Sequence, residues 1–372
     1  MSERRLSAPD VLRGIAIAGT FAANVWVFAD PRGPAAVLAG FTDGWWVDTV
    51  LRSAANGKFL ALLTLLFGIG MELQYRSAVR RGMARPARYL ARAAILFTEG
   101  LLHYVLVFEF DVLMGYAIAS VLVAWLVGRS RGMRIAAGAV AGGFVVLVVG
   151  ALTVAGGAGD AGALPPYPPT WTGQWWVRLA EAGLYRAELV LIVPSAVMLF
   201  LVGSALLRAG VLDEGGARLR RNLMAVGAAG VVLNAMTVLG GPDWILVERY
   251  LVAPVVALGL LALVPAVLLR MRGTAGPVRR GFTAIGRTAL TCYVGQNVVA
   301  AVLFHPWGFG LAEAFAGLAP PVRTVAVVGV WIGVMVLSAL AASGWLRRHD
   351  RGPVEMVTQR LLARRAPEPV RT

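Results

Sequence analysis

The chain has 372 residues, of which 58% are hydrophobic and 15% are charged. Ordinary soluble domains contain about 45–50% apolar and about 25% charged residues, so the composition excludes an ordinary soluble protein. The 35 basic residues exceed the 20 acidic ones and give a net charge of +15. A nucleic-acid-binding domain would gather that charge on one basic face, whereas here the arginines form short groups between long apolar stretches. We therefore expect no nucleic-acid partner.

About ten apolar stretches, taken in chain order, are each close to the length of roughly 20 residues that crosses a bilayer as a helix. They lie at 11–28, 57–75, 89–108, 112–128, 135–155, 187–207, 222–240, 250–270, 288–305 and 322–346. This pattern predicts an all-α polytopic membrane protein with a single transmembrane bundle over residues 1–346. Residues 347–372 then form a tail, in which Pro353 begins an amphipathic helix predicted to lie on the inner leaflet.

The positions of the arginines predict the orientation, because cytoplasmic flanks of membrane helices carry an excess of basic residues. The two termini and the even-numbered connections hold 27 of the 35 basic residues, and the odd-numbered connections hold 7. Both termini are therefore predicted to be cytoplasmic. We expect a multi-pass protein of the inner (plasma) membrane, surrounded by membrane lipids.

The first predicted span carries polar residues at both ends. Arg13 and Asn24 are separated by 11 residues, which is about three helical turns and roughly 16 Å, so they share one face. Asp10 precedes Arg13 by three residues and can pair with it. Polar residues within a span are costly and are therefore functional candidates. This face either binds the helix to its neighbours or contacts a substrate, and the sequence leaves both interpretations open.

The third span and the turn that follows it combine a histidine with carboxylates. Glu99 and His103 are spaced i, i+4 and share a helix face, and Glu109 and Asp111 lie in the turn. A tight reversal can bring Asp111 back beside His103. A buried imidazole oriented by a carboxylate is typical of a general base, although a hydrogen-bonded link between helices fits the same residues.

Two further places carry polar side chains that a bilayer disfavours. Lys58, the only lysine of the chain, begins the second span, where it either binds an anionic group or anchors the helix by snorkelling. On the ninth span Tyr293, Gln296 and Asn297 fall on one face, which indicates a polar cavity.

The predicted outer connection at 156–186 is rich in proline and glycine and ends in a tryptophan-rich segment. Tryptophan favours the membrane–water interface, so interfacial helices are the favoured reading, and a platform that stacks on a ligand is the alternative. The single cysteine and three histidines give no disulfide framework and no metal-ligand spacing. We expect no metal and no tightly bound cofactor.

Several segments resemble the YeiB-like family of bacterial membrane proteins, which carries domain of unknown function 418. They are PDVLRGIAIAGTFAANV at 9–25, NGKFLALLTLLFGIGMELQYRSAVRRG at 56–82, GLLHYVLVFEFDVLMGYAIASVL at 100–122, GRTALTCYVGQN at 286–297 and RGPVEMV at 351–357. The family is similar to a wider superfamily of transmembrane acyltransferases. In the members that modify surface polysaccharides, an arginine on the first helix is followed by a catalytic histidine. Arg13 matches that arginine, and Asn24 stands at the position of the histidine.

The resemblance implies a membrane acyltransferase that uses acyl-CoA as co-substrate. The acyl group would pass from the cytoplasmic side near Arg13 to a hydroxyl or amine, on a small molecule or a glycan, near the outer face. His103 is the available base, with Asp111 or Glu99 as its orienting carboxylate. The residues expected to line the substrate pocket are Asn24, Lys58, Tyr293, Gln296 and Asn297. The alternative is a proton-coupled transporter or flippase in which Glu99, His103 and Asp111 form a proton relay.

Overall fold

A computed structural model describes residues 3–35, 45–80, 86–156, 168–271 and 274–364. Within these ranges the regular structure is helical and includes no strand. The helices are α1 Glu3–Phe28, α2 Trp46–Ala55, α3 Lys58–Arg80, α4 Pro86–Leu106, α5 Leu113–Val127, α6 Arg131–Val154, α7 Trp171–Ala180, α8 Ala182–Arg186, α9 Leu189–Arg208, α10 Ala217–Leu239, α11 Ala253–Arg270, α12 Pro277–Arg287, α13 Ala289–Phe304, α14 Leu311–Ala316, α15 Pro320–Trp345 and α16 Pro353–Arg364. A π-helical turn, Glu248–Val252, leads directly into α11.

Each predicted apolar stretch lies in a helix, and the all-α membrane fold is confirmed. Among the described residues, seven helical segments are long and apolar enough to cross a membrane. Helices α5 and α13 are apolar but shorter, and α4 carries Arg92, Glu99 and His103, which lower its hydropathy. The number of about ten spans and the cytoplasmic position of both termini stay predictions.

Helix α1 packs against α3, α12 and α13. Two glycines make this close packing possible, since a Cβ at Gly14 would lie 2.1 Å from the backbone oxygen of Phe282 and one at Gly19 would lie 2.0 Å from the ring of Phe59. Small residues that let helix backbones approach are typical of membrane bundles. The close approach brings the polar face of α1 directly against its neighbours.

Ion pairs join segments that are predicted to lie on the same side of the membrane. On the predicted cytoplasmic side, Arg208 donates to Glu72 at 2.7 Å. On the predicted outer side, Arg323 donates to Asp30 at 3.1 Å. Burial would raise the pKa of Asp30, but hydrogen bonds from Arg32 and Arg323 outweigh burial and hold the pKa below its ordinary value. These contacts agree with alternating spans.

The tail helix α16 docks on the transmembrane bundle. The Glu355 carboxylate accepts hydrogen bonds from the backbone nitrogens of Leu290 (2.8 Å) and Thr291 (3.3 Å), so it caps the first turn of α13, where backbone N–H groups have no partner within the helix. Thr358 donates to Glu99 of α4 at 2.6 Å. The tail thus bridges α4 and α13, and its last residues, 365–372, lie outside the described residues.

We expect Glu355→Ala to lower the free energy of unfolding by about 1 kcal/mol, the usual effect of losing a helix cap. Thermal unfolding in detergent micelles measures the change. Glu355→Gln keeps acceptor oxygen at the same position and is expected to retain part of the stability. An alanine variant as stable as the parent would contradict the capping role.

Candidate functional site

The turn between α4 and α5 places Asp111 beside His103, as the spacing predicts. His103 Nδ1 lies 2.8 Å from Asp111 Oδ2, and the two residues are 2% and 0% exposed. The other carboxylate oxygen accepts from the backbone nitrogen of Leu113 at 2.8 Å. Gly100 provides the space, since a Cβ there would lie 2.8 Å from Asp111 Oδ1. The carboxylate is therefore fixed from both sides.

Two amides continue this arrangement on the other side of the imidazole. Asn297 Nδ2 lies 3.2 Å from His103 Nε2, and Asn24 Nδ2 donates to Asn297 Oδ1 at 3.3 Å. The four side chains form one directional chain of hydrogen bonds, from Asn24 through Asn297 and His103 to Asp111, which we call the amide–histidine chain. The hydrogen positions follow from this network. They place the imidazole proton on Nδ1 and a lone pair on Nε2.

Two arginines balance the carboxylates of the turn. Arg186 donates to the backbone oxygen of Asp111 at 2.9 Å and interacts electrostatically with its carboxylate. Arg178 pairs with Glu109 at 3.2 Å, with both side chains buried. Each carboxylate of the turn therefore has a cationic neighbour.

Arg178 and Arg186 are functional candidates that sequence reasoning missed. A usable signal was present, because both belong to the few basic residues in connections predicted to be external. Arginines that depart from the positive-inside pattern require another explanation, and here they pair with groups in the turn that holds Asp111. Their partners were not apparent from spacing.

The tryptophan-rich segment covers this end of α4. The Arg178 guanidinium donates to the backbone oxygens of Val105 (3.1 Å) and Val107 (3.2 Å), and Trp171 Nε1 donates to Leu106 at 2.8 Å. Trp176 remains 65% exposed, as an interfacial helix requires. The preceding residues 157–167 lie outside the described residues.

The predicted residues of α13 all face the neighbouring helices. Tyr293 is buried, with its ring centroid 5.3 Å from that of His103. Gln296 is 1% exposed and donates weakly to the backbone oxygen of Ile17 at 3.5 Å. No donor among the described residues reaches Gln296 Oε1. Together with Asn297, these side chains form a polar seam between α1, α4 and α13.

Two predicted residues lie away from this cluster. The Glu99 carboxylate binds Thr358 of the tail, so Asp111 rather than Glu99 orients His103. Arg13 pairs with Asp10 at 2.8 Å, and both side chains are partly exposed. Arg13 lies three turns before Asn24 on α1, at the predicted cytoplasmic end of the seam.

Lys58 occupies a separate buried site. Its ammonium lies 2.6 Å from Glu248 Oε1, and each of these side chains is 4% exposed. Ser53 also donates to Glu248 at 2.8 Å, and Asn234 donates to Ser53 at 2.9 Å. The sequence predicted either an anion-binding charge or a snorkelling anchor. The structure shows a buried ion pair whose acid lies in the π-helical turn, a feature often found at functional sites.

The remaining two histidines lie elsewhere. His349 stacks on Trp345 with ring centroids 4.0 Å apart. His305 lies against Phe28 at the end of α13. Only His103 combines an oriented imidazole with a carboxylate among the described residues.

Comparisons with known proteins agree with the resemblance described above. The family described as "Protein of unknown function (DUF418)" matches residues 206–365, which include Gln296 and Asn297. The chain is 26% identical over 403 residues to the uncharacterized protein YeiB of Escherichia coli (strain K12), covering 96% of each chain. It is 25% identical over 395 residues to the uncharacterized protein YxaH of Bacillus subtilis (strain 168), covering 95% of this chain and 93% of YxaH. No solved structure matches the chain.

Proposed function

We propose that this chain, which belongs to the YeiB-like DUF418 family, is an inner-membrane acyltransferase. It moves an acyl group from an acyl-CoA on the cytoplasmic side to a hydroxyl or amine near the outer face. One observation carries the proposal: His103 holds its proton on Nδ1 through Asp111 and directs the lone pair of Nε2 at the amide of Asn297. A base held in one tautomer by a buried carboxylate is the arrangement that proton abstraction requires.

A general-base reaction fits this geometry. An acceptor hydroxyl or amine displaces the Asn297 amide from His103 Nε2 and gives its proton to that nitrogen while its oxygen or nitrogen attacks the thioester carbonyl. The N–H group that Asn297 then no longer shares with His103 can donate to the oxyanion that forms at the thioester carbonyl. The carbon–sulfur bond then breaks, and the imidazolium returns the proton to the departing thiolate. CoA is a co-substrate and is released after each turnover.

The position of Arg13 supports entry of the donor from the cytoplasm. Arg13 is partly exposed and can meet the phosphates of CoA, while Asn24 lies about 16 Å further along α1. The acceptor is a small molecule or a glycan that approaches from the outer side, and membrane lipids surround the bundle. The proposed mechanism uses residues of one chain, so it does not depend on the oligomeric state.

A proton-coupled transporter or flippase is supported less well. That alternative needs Glu99, His103 and Asp111 to form one relay. The Glu99 carboxylate binds Thr358 of the tail, and the imidazole nitrogens of His103 face Asp111 and Asn297. The relay therefore lacks a hydrogen bond between Glu99 and His103, which would be its first step.

We expect His103→Ala to reduce acyl transfer by about 100- to 10,000-fold, the usual contribution of a general base. The assay incubates the purified protein in lipid vesicles with radiolabelled acetyl-CoA and a membrane and glycan fraction of the host, and follows label in lipid and glycan. Binding of acetyl-CoA should persist in the variant, because His103 takes part in proton transfer rather than in CoA recognition.

His349→Ala is the matched control, because it removes a histidine that lies outside the site, and its transfer rate should equal that of the parent. Failure of the parent to bind acetyl-CoA, or unchanged transfer by His103→Ala, would reject the proposal. Uptake driven by a pH gradient and lost in Glu99→Gln would favour the transporter.

A further inference from the structure

The Gln296 side chain is buried in the polar seam with one side of its amide unused. Its nitrogen donates to Ile17 at 3.5 Å, whereas no described residue donates to Oε1. Asn297, its neighbour in sequence, uses both its amide nitrogen and its amide oxygen within the amide–histidine chain. Buried polar atoms in folded proteins nearly always have partners. Gln296 Oε1 is therefore an acceptor that the described residues leave available.

The location of Gln296 indicates which part of a bound substrate can reach this oxygen. Its contact on α1, Ile17, lies four residues after Arg13 and seven before Asn24, which is about 6 Å and about 10 Å along the helix axis. Gln296 thus lies between the predicted cytoplasmic entrance and the amide–histidine chain. A molecule that extends from Arg13 toward His103 passes Gln296 on the way.

We propose that Gln296 selects substrates by accepting a hydrogen bond from a substrate N–H or O–H group, an inference that rests on the proposed acyl transfer. Two sources can supply the donor. One is an amide N–H in the arm that carries the acyl thioester, and the other is a second hydroxyl on the acceptor. A buried site built to bond a polar group discriminates against analogues that lack the group, because its own polar atom is then left unpaired.

Two pairs of probes separate these sources. S-acetyl-N-acetylcysteamine carries an amide N–H beyond its thioester, and S-pentyl thioacetate has a similar length without the amide. Hexane-1,2-diol carries a second hydroxyl that 1-hexanol lacks. The dissociation constants of all four probes are measured from the tryptophan fluorescence of the purified full-length protein in lipid nanodiscs, so the test needs no turnover.

We expect the parent to bind the amide-bearing thioester more tightly than S-pentyl thioacetate. The ratio of the two dissociation constants should differ between the parent and Gln296→Met by about tenfold to a hundredfold. Methionine matches glutamine in length but offers no amide oxygen. Gln296→Glu retains an acceptor oxygen and should keep the preference, which separates recognition from damage to the fold. Because the same two probes are compared in the parent and in the variant, the difference in their partition into the lipid cancels between the two ratios.

A preference that disappears in Gln296→Met for either probe pair supports the proposal and identifies which substrate supplies the donor. Equal preferences in the parent and in Gln296→Met for both pairs would overturn it, since Oε1 would then be satisfied by water. Failure of the acyltransferase proposal is seen separately, as unchanged transfer by His103→Ala, because binding ratios do not depend on turnover.

Discussion

Acyl transfer is expected to fall about 100- to 10,000-fold when Asp111 is replaced by asparagine. The backbone nitrogen of Leu113 donates to one oxygen of Asp111, so the amide oxygen of the asparagine keeps that position. Its nitrogen then faces His103 Nδ1 and donates to it. The imidazole proton moves to Nε2, and the lone pair that would accept the substrate proton is lost although the shape of the site is preserved.

The tautomer and the rate can be measured on the same protein. Nitrogen NMR of histidine-labelled protein should show the proton on Nδ1 in the parent and on Nε2 in Asp111→Asn, together with the lower transfer rate. Glu109→Gln is the matched control, because Glu109 lies in the same turn but pairs with Arg178. The control should keep the parental tautomer. An Asp111→Asn variant that retains full activity would show that His103 does not act through this tautomer.

Local spacing was sufficient to predict the helices and to identify Asp111, together with Glu99, as a candidate partner of His103. Helices follow from apolar stretches long enough to cross a bilayer, and each of them is a helix in the structure. His103 and Asp111 are only eight residues apart, so one tight turn determines their distance. Features of this kind depend on neighbouring residues in the chain.

Contacts between distant segments could not be predicted in the same way. The Asn297 partner of His103 is 194 residues away, and the Glu248 partner of Lys58 is 190 residues away. Hydropathy identifies which segments are helical, but lipid-facing and buried apolar side chains look alike in sequence. Hydropathy therefore does not show which helices are neighbours. Glu99 shows the consequence, because its position beside His103 in the helix did not reveal its bond to Thr358.

Some basic residues on the predicted outer side have a structural role that cannot be seen from counting the basic residues on each side. Arg178 pairs with Glu109, and Arg249 pairs with Glu188 at 2.9 Å. Each of these pairs joins helices or turns that are distant in sequence. The positive-inside rule predicts the arginines of the other side, so these exceptions point to residues that join distant segments of the bundle.

Lys58→Met is expected to lower the free energy of unfolding by about 3–5 kcal/mol, because it leaves the Glu248 carboxylate buried without its cation. Both side chains are 4% exposed, so water cannot compensate for the loss. Ser53 still donates to the carboxylate but carries no charge. The double variant Lys58→Met, Glu248→Met removes both charges and should recover most of the lost stability, since apolar replacement of a whole buried pair is often nearly neutral.

Reversible unfolding in mixed micelles, measured for both single variants and the double variant, gives the coupling between the two residues. Arg76→Met provides the matched control. Arg76 pairs with Glu72 at 2.8 Å, but its side chain is 42% exposed, and Glu72 keeps Arg208 as a partner. Its loss should therefore lower the free energy of unfolding by less than about 1 kcal/mol. If the double variant were as unstable as Lys58→Met alone, the instability would come from packing around the lysine stem rather than from an uncompensated carboxylate.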